Sequence, residues 1–268
     1  MFKAVFIDMD GTLLKSDHGI SKASFETIQK LKEKNILVVL VSARPLHGMQ
    51  PIAGEIGLLD FPFAALNGAL IALKEKIMFE SAIDLAITAT LHQALRQYDS
   101  TLIYYRGMQW FSETKNSYTD FEQEITAVPI IIEPFADMIG SWQNEHAGPN
   151  KILVIANQDV TRAIQNKLKR EFSDHLNTYT SKSTYLEVMS PSASKLNAVK
   201  FLIDQYHISQ GEIIAIGDNF NDLEMITFAG VGIAMGNAPN EVKAKADYLT
   251  DSNDDDGVAH ALNFFLGT

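Results

Sequence analysis

The chain has 268 residues, of which 46% are hydrophobic and 21% are charged, and these values are typical of a globular protein with a sizeable core. This length exceeds one average domain and predicts one large or two modest domains. No apolar run approaches the roughly 18 to 20 residues of a membrane span, and the first residues lack the pattern of a signal peptide. We therefore expect a cytoplasmic protein that does not act at a membrane.

The charge and the absence of cysteine exclude several classes of function. A formal net charge of -11 argues against nonspecific nucleic-acid binding, which depends on Lys and Arg neutralising phosphates. An acidic protein that binds phosphate must collect positive charge locally, from a metal ion and a few basic side chains. With 0 cysteines there is no disulfide, no thiolate nucleophile and no zinc–cysteine site.

The first predicted element is a buried strand over residues 2–7, and it ends in the sequence Asp8-Met9-Asp10-Gly11-Thr12. Because the chain must turn at the glycine, both carboxylates are expected at the carboxyl end of the strand, where open α/β sheets bind ligands. Like charges so close together persist mainly where a cation binds between them or where one is protonated. The alternative is an ordinary Asp-rich turn.

A helix with Ser21 as its N-cap and a second buried strand over residues 36–41 follow, and together they predict a parallel βαβ unit. Ser42 comes directly after the second strand, where helix-terminal N–H groups favour anions, although it could be a simple N-cap. A third short strand over residues 63–66 ends at Asn67, which is either a site residue or only a turn residue.

The pattern then changes to helices and strands separated by turns, which predicts an antiparallel α+β domain inserted between core strands. Within it, the region of Pro129, Pro134 and Pro149 is predicted to be irregular. The core resumes with a helix that begins near Lys195. A lysine is unfavourable in a first helical turn unless an anion lies nearby, and a solvated lysine is the alternative.

A fourth buried strand over residues 213–216 is followed by Asp218, Asn219, Asn221 and Asp222, and a fifth covers residues 231–234. Carboxylate and amide oxygens clustered at the end of a strand are suited to Mg²⁺. A capped turn would explain the same residues without a metal.

Four of these segments, taken in order, resemble the motifs of the haloacid dehalogenase superfamily, and Met235-Gly236-Asn237-Ala238 resembles its Cof-type members. The motifs are Asp-x-Asp-Gly-Thr at Asp8, the hydroxyl of Ser42, the lysine at 195 and Gly-Asp-x-x-Asn-Asp ending at Asp222. Two departures are Ala43 and Leu196, where relatives commonly have glycine. The resemblance implies an α/β fold with a Rossmann-like, five-stranded parallel core sheet, helices on both faces and an inserted, mobile α+β cap. We expect the core domain at residues 1–82 and 190–268 and the cap at 83–189.

By this resemblance the protein is an Mg²⁺-dependent phosphatase of small phosphorylated metabolites, such as sugar phosphates. Asp8 is the implied nucleophile, Asp10 the general acid and base, and Lys195 the balancing charge. The implied metal-binding residues are Asp8, Asp10, Asp218 and Asp222, with Asp222 acting from outside the ligand sphere. The implied substrate-binding residues are Met9, Gly11, Ser42, Ala43, Arg44, Asn67, Lys195 and Asn221.

Three other functions remain open at this stage. A hexose phosphomutase has related motifs, and a sugar-phosphate-binding regulator without turnover would not need both Asp8 and Asp10. A nucleic-acid 3′-phosphatase is disfavoured by the net charge. We expect a small-molecule phosphorylated substrate, no nucleic-acid partner, no membrane partner, and a monomer or homodimer.

Overall fold

A computed structural model describes residues 1–74, 76–126, 128–144 and 148–267. Contacts divide the chain into two compact units, the first made of residues 1–78 and 194–268 and the second of residues 79–193. The predicted inserted domain, 83–189, lies within the second unit. No helix among the described residues has the length and apolar character needed to cross a bilayer.

Fourteen strands are named among the described residues. They are β1 (Ala4–Asp8), β2 (Leu37–Val41), β3 (Pro62–Ala65), β4 (Leu70–Leu73), β5 (Lys76–Glu80), β6 (Ser100–Arg106), β7 (Gln109–Ser112), β8 (Ile131–Ile132), β9 (Lys151–Ala156), β10 (Asn177–Lys182), β11 (Tyr185–Met189), β12 (Ile213–Gly217), β13 (Val231–Ala234) and β14 (Tyr248–Leu249). The α-helices are α1 (Lys22–Glu33), α2 (Leu46–Glu55), α3 (Leu85–Leu95), α4 (Ser117–Thr126), α5 (Phe135–Asn144), α6 (Gln158–Glu171), α7 (Lys195–Gln205), α8 (Leu223–Phe228), α9 (Asn240–Lys243) and α10 (Gly257–Leu266).

The first unit is built on a sheet with the strand order β14-β13-β12-β1-β2-β3-β4-β5. The pairs from β14 to β3 are parallel, and β4 pairs antiparallel with β3. Every side chain of β1 and β12 is buried, so both faces of the sheet are covered, as expected for parallel strands joined through helices. The α/β class and the five predicted core strands are thereby confirmed.

The sheet is larger than the five parallel strands predicted from the sequence. β14, a two-residue strand, adds a sixth parallel strand beside β13, with Ile233 opposite Tyr248. Two residues are too few to produce a periodic pattern of apolar side chains, so this strand had no readable signal.

The helix that connects β1 to β2 forms for the reasons expected from the sequence. The Ser21 hydroxyl accepts the N–H of Ser24 at 3.1 Å and so caps α1. Ile28 and Leu31 are buried beneath it. Because α1 carries the chain back to the side of the sheet where β1 begins, β2 runs parallel to β1 and the carboxyl ends of the two strands are aligned.

The second unit has a six-stranded sheet in the order β10-β11-β9-β6-β7-β8, antiparallel except for β7 with β8. Its core joins strand residues such as Tyr104 to the buried faces of three helices, α3, α5 and α6. The region predicted to be irregular contains α5, so that prediction is wrong. Phe135, Met138 and Trp142 follow helical spacing and are buried, and Pro134 directly precedes the helix, where proline is tolerated.

Candidate active site

The carboxyl ends of three neighbouring parallel strands bring the predicted site residues together. Asp8 is the last residue of β1, Ser42 follows β2, and Asp218 follows β12. Since β12, β1 and β2 are adjacent and parallel, these three side chains emerge at one edge of the sheet. The predicted grouping at the strand ends is therefore present in the first unit.

Lys195 lies between two buried carboxylates. Its Nζ is 2.5 Å from Asp8 Oδ1 and 2.5 Å from Asp222 Oδ1, and its side chain is 1% exposed. The solvated lysine considered from the sequence is therefore wrong. Ser194 caps the helix that starts here by accepting the N–H of Asn197, so the lysine side chain enters from a fixed first turn.

Burial sets the electrostatics of this cluster. Desolvation raises the pKa of the Asp8 carboxyl well above its usual range, the nearby charge of Asp222 raises it further, and Lys195 opposes both. Burial alone would lower the pKa of Lys195, but the charges of Asp222 and Asp8 outweigh it and raise that pKa. The ammonium group is thus held in its charged form beside the expected nucleophile.

Asp222 uses both of its carboxylate oxygens within the protein. While Oδ1 contacts Lys195, Oδ2 accepts the backbone N–H groups of Asp218 at 3.1 Å and Asn219 at 3.0 Å. A side chain on Gly217 would collide with the Asp222 carboxylate, so the loop needs glycine there. Asp222 therefore shapes the loop that presents Asp218.

Two residues that the sequence did not single out orient Asp218. Thr12 Oγ1 donates to Asp218 Oδ1 at 3.0 Å, and Asn237 Nδ2 lies 3.4 Å from Asp218 Oδ2 and donates to the Gly11 carbonyl at 2.8 Å. Gly11 has φ +79°, and a Cβ on it would meet the Asp218 carboxylate. Thr12 and Asn237 belong to segments that resemble the family motifs, and this resemblance was the sequence signal that could have identified them.

The three buried or half-buried aspartates fit a divalent cation. Asp8, Asp218 and Asp222 each place one carboxylate oxygen within 4.8 Å of the others. Burial and the charge of Asp222 also raise the pKa of Asp218. A hard cation among these oxygens would relieve that repulsion, and carboxylate oxygens are the donors that Mg²⁺ prefers. The side chain of Asp10 is not part of this cluster.

A second group of polar residues lies in the segments that follow β2, β3 and β12. Asn67 has a left-handed backbone (φ 51°), and its N–H donates to the Ser42 carbonyl at 2.8 Å. Asn221 Nδ2 donates to Asn67 Oδ1 at 3.0 Å, so the two predicted asparagines are joined. Ser42 is fully buried, and its Oγ accepts the N–H of Arg44 at 3.1 Å. It does not cap α2, because the N-cap is Pro45.

The other predicted site residues take different positions. Arg44 pairs with Asp10 through both carboxylate oxygens, at 2.6 and 2.7 Å. The side chain of Met9 is fully buried, so only its backbone could contact a substrate, and Ala43 is half-buried. The carboxylates of Asp8 and Asp10 therefore face different surroundings, one buried and one 47% exposed.

The chain is similar to known proteins over nearly its whole length. The haloacid dehalogenase-like hydrolase family matches residues 5–262. A Haemophilus influenzae protein named as a candidate phosphatase is 34% identical over 266 residues, covering 98% of this chain and 97% of its own. The Bacillus subtilis 5-amino-6-(5-phospho-D-ribitylamino)uracil phosphatase YcsE is 28% identical over 266 residues, covering 98% and 96%.

A solved structure shows the same fold over the whole chain. The haloacid dehalogenase-like hydrolase from Bacteroides thetaiotaomicron superposes with a TM-score of 0.88 at 29% identity, covering 99% of this chain and 100% of that one. The fold, the order of motifs and the family match point to one conclusion. The chain belongs to the haloacid dehalogenase-like hydrolases, as a phosphatase of the Cof type.

Proposed function

We propose that the protein is an Mg²⁺-dependent phosphatase of small phosphomonoesters, sugar phosphates or similar metabolites, and that it works through an aspartyl-phosphate on Asp8. The observation that carries the proposal is Lys195 held between Asp8 and Asp222, with Asp218 in the same cluster of oxygens. This arrangement sets a carboxylate nucleophile beside fixed positive charge at the ligand-binding edge of the sheet.

The reaction follows from the residue types. An oxygen of Asp8 attacks phosphorus, the bond to the leaving oxygen breaks, and Asp10 gives that oxygen a proton. Asp10 then takes a proton from water as the water attacks phosphorus, which breaks the bond to Asp8 and releases phosphate. Lys195 and the Ser42 hydroxyl bind the oxygens of the transferring group, whose charge grows during transfer.

The metal would be held by Asp8, Asp218 and the backbone carbonyl of Asp10, with Asp222 supporting them from outside. When bound, Mg²⁺ supplies charge that lets an anionic carboxylate approach an anionic phosphate. The hydrogen bonds of Thr12 and Asn237 fix the Asp218 carboxylate for this task.

The domain division is part of the same proposal. The proposed core domain, residues 1–82 and 190–268, contains all the residues to which we assign a role in the reaction. We propose that residues 83–189 form the inserted domain and that this domain determines which metabolite is hydrolysed.

A panel of phosphometabolites assayed for both free phosphate and isomerised product tests the proposal. The name of the YcsE relative justifies including ribityl phosphates beside hexose phosphates. We expect phosphate release that EDTA abolishes, Mg²⁺ restores and Ca²⁺ restores poorly, because the larger coordination sphere of Ca²⁺ misplaces the phosphate. Isomerised sugar phosphate without phosphate release would indicate a mutase, and binding without turnover would indicate a regulator; either result contradicts the proposal.

Changing Asp10 to asparagine is expected to reduce kcat/KM on the order of 10²-fold or more for a sugar phosphate, because the leaving oxygen then departs unprotonated. The loss should be smaller for p-nitrophenyl phosphate, whose leaving group needs little protonation. Steady-state kinetics on both substrates measure the difference. Equal losses on both would count against Asp10 as the acid.

Asp218→Ala and Asp222→Ala are expected to separate the two metal-related roles. Loss of Asp222 should raise the Mg²⁺ concentration for half-maximal activity by about 10- to 100-fold, as for other outer partners of metal ligands, and loss of Asp218 should raise it more. Thermal stability in EDTA should show the opposite order, with the larger effect in Asp222→Ala. Asp222→Ala removes one of the two carboxylates that contact Lys195 and leaves two N–H groups without an acceptor, so it should lower Tm more than Asp218→Ala.

Activity titrated against Mg²⁺ and melting curves in EDTA measure these effects. If the Mg²⁺ concentration for half-maximal activity rises less in Asp218→Ala than in Asp222→Ala, the two roles are assigned the wrong way round.

A further inference from the structure

The general acid of the proposed reaction has a partner of its own. Arg44 Nε donates to Asp10 Oδ2 at 2.7 Å, and Arg44 Nη2 donates to Asp10 Oδ1 at 2.6 Å. This is a bidentate pair, in which the planar guanidinium fixes the direction of both carboxylate oxygens. Lys195, the cation beside the nucleophile, contacts Asp8 and Asp222 instead. Each catalytic aspartate therefore has a separate basic partner.

Arg44 is itself held in place on several sides. Its Nη1 lies 3.4 Å from the Gly48 carbonyl, and its backbone N–H donates to Ser42 Oγ at 3.1 Å. Its backbone carbonyl accepts the N–H of Leu66 at 2.9 Å. The guanidinium therefore contacts the start of α2, and the backbone of Arg44 is fixed by Ser42 and Leu66. It is also the single arginine in the sequence of the first unit.

Asp10 needs such a partner more than Asp8 does. The Asp10 side chain is 47% exposed, whereas the Asp8 side chain is 7% exposed. An exposed carboxylate samples several rotamers, and a proton donor displaced by about 1 Å can cost on the order of 10²-fold in rate. A bidentate arginine limits that motion.

We propose that Arg44 is a positioning residue that holds the Asp10 carboxylate in the orientation needed for proton transfer. The inference rests on the proposed function, in which Asp10 is the general acid and base. The pairing is compatible with that role. A carboxylate has about four lone-pair sites and the two N–H donors use two of them, so each oxygen retains a site for the transferred proton.

This role differs from the contact with the phosphoryl group that the family resemblance implies for Arg44. A phosphate ligand would stabilise the transferring group whatever the leaving group is. In the first step, which kcat/KM measures, a residue that acts through Asp10 matters only when the leaving oxygen must be protonated. Dependence on the leaving group therefore separates the two roles.

The test compares Arg44→Met and Arg44→Lys with wild type on two substrates, p-nitrophenyl phosphate and the sugar phosphate that wild type hydrolyses fastest. For Arg44→Met we expect kcat/KM on the sugar phosphate to fall about 10- to 100-fold. On p-nitrophenyl phosphate it should fall less than about threefold, because that leaving group departs with little protonation. Arg44→Lys should restore only part of the loss, because an ammonium cannot form the bidentate fork.

Inhibition by inorganic phosphate supplies the second measurement. If Arg44 acts through Asp10, the inhibition constant of phosphate should stay within about twofold of wild type, since its binding does not need proton transfer. In a double-mutant cycle, Arg44→Met should have little further effect on the sugar phosphate once Asp10 is asparagine. Arg170→Met is the matched control, because Arg170 also pairs with a carboxylate, that of Glu171 at 2.7 Å, and is 71% exposed.

Equal losses on both substrates with weaker inhibition by phosphate would overturn the proposal in favour of direct phosphate binding. Equal losses with unchanged inhibition, or additive losses in the double mutant, would overturn it in favour of a general role in the fold. Failure of the underlying function is distinguishable, because wild type itself would then release no phosphate with Mg²⁺ from any substrate.

Discussion

Replacing Asp8 with asparagine is expected to lower kcat by at least about 10³-fold, since removing the nucleophile of an enzyme commonly costs that much or more. The change is nearly isosteric, but an amide oxygen is a far weaker nucleophile than a carboxylate. The fold should survive. Burial and the charge of Asp222 already disfavour the ionised form of Asp8, so a neutral side chain is tolerated there.

Phosphate release and thermal melting should be measured on a preparation shown by mass spectrometry to be free of deamidated protein. Asp60→Asn is a suitable control, because Asp60 is an 80% exposed aspartate in the same unit and also pairs with a lysine. It should retain wild-type activity. A turnover rate in Asp8→Asn within about tenfold of wild type would contradict the assignment of the nucleophile.

Replacing Lys195 with methionine is expected to damage both activity and stability. It leaves Asp8 and Asp222 buried without their shared cation, and breaking a buried ion pair typically costs about 3–5 kcal/mol of unfolding free energy. Turnover should fall steeply as well, because the charge that balances nucleophile and phosphate is lost. Denaturant unfolding and kcat measure the two effects.

The matched control is Lys200→Met, since Lys200 lies on the same helix, is exposed and places its Nζ over the Phe228 ring, 5.3 Å from the ring centroid. Its loss should cost at most about 1 kcal/mol. Similar destabilisation by both substitutions would show that the ion pairs of Lys195 contribute little.

The stability deficit of Lys195→Met should also depend on pH. The pKa of Asp8 is raised in the folded protein, so over the range between its unfolded and folded values the folded state binds a proton that the unfolded chain lacks. Stability therefore falls as pH rises through that range. Lys195 opposes the rise in the Asp8 pKa, so its loss raises that folded-state pKa further and widens the pH range over which stability falls. The difference in unfolding free energy between Lys195→Met and wild type should therefore shrink as the pH is lowered.

The core sheet is predictable from the sequence because its central strands have a clear hydrophobic pattern. β1, β2 and β12 are nearly continuous apolar runs. A polar residue stands at the end of β1, at Asp8, and directly after β2 and β12, at Ser42 and Asp218. Parallel pairing then places those residues at one edge without further information. The three prolines of the inserted region conceal the helix α5 in the sequence, although Pro134 occupies a position where a helix can begin.

The pairings within the site were not predictable in the same way. The sequence suggested that Lys195 needs an anion, but only the fold shows that this anion is Asp8 and Asp222 together. Likewise, Arg44 and Asp10 belong to different strand–loop segments, and their side-chain directions depend on rotamers that spacing does not determine. Sequence position therefore indicated which residues meet, and not which atoms contact each other.

The stereochemistry of phosphoryl transfer tests the central claim most directly. A phosphorothioate monoester made chiral at phosphorus with oxygen-18 should be hydrolysed by wild type with Mg²⁺ in oxygen-17 water, and the configuration of the product thiophosphate should be determined. Attack by Asp8 followed by attack of water inverts the configuration twice, so the account predicts net retention. Net inversion would show that water attacks the substrate directly, and it would contradict an aspartyl-phosphate on Asp8.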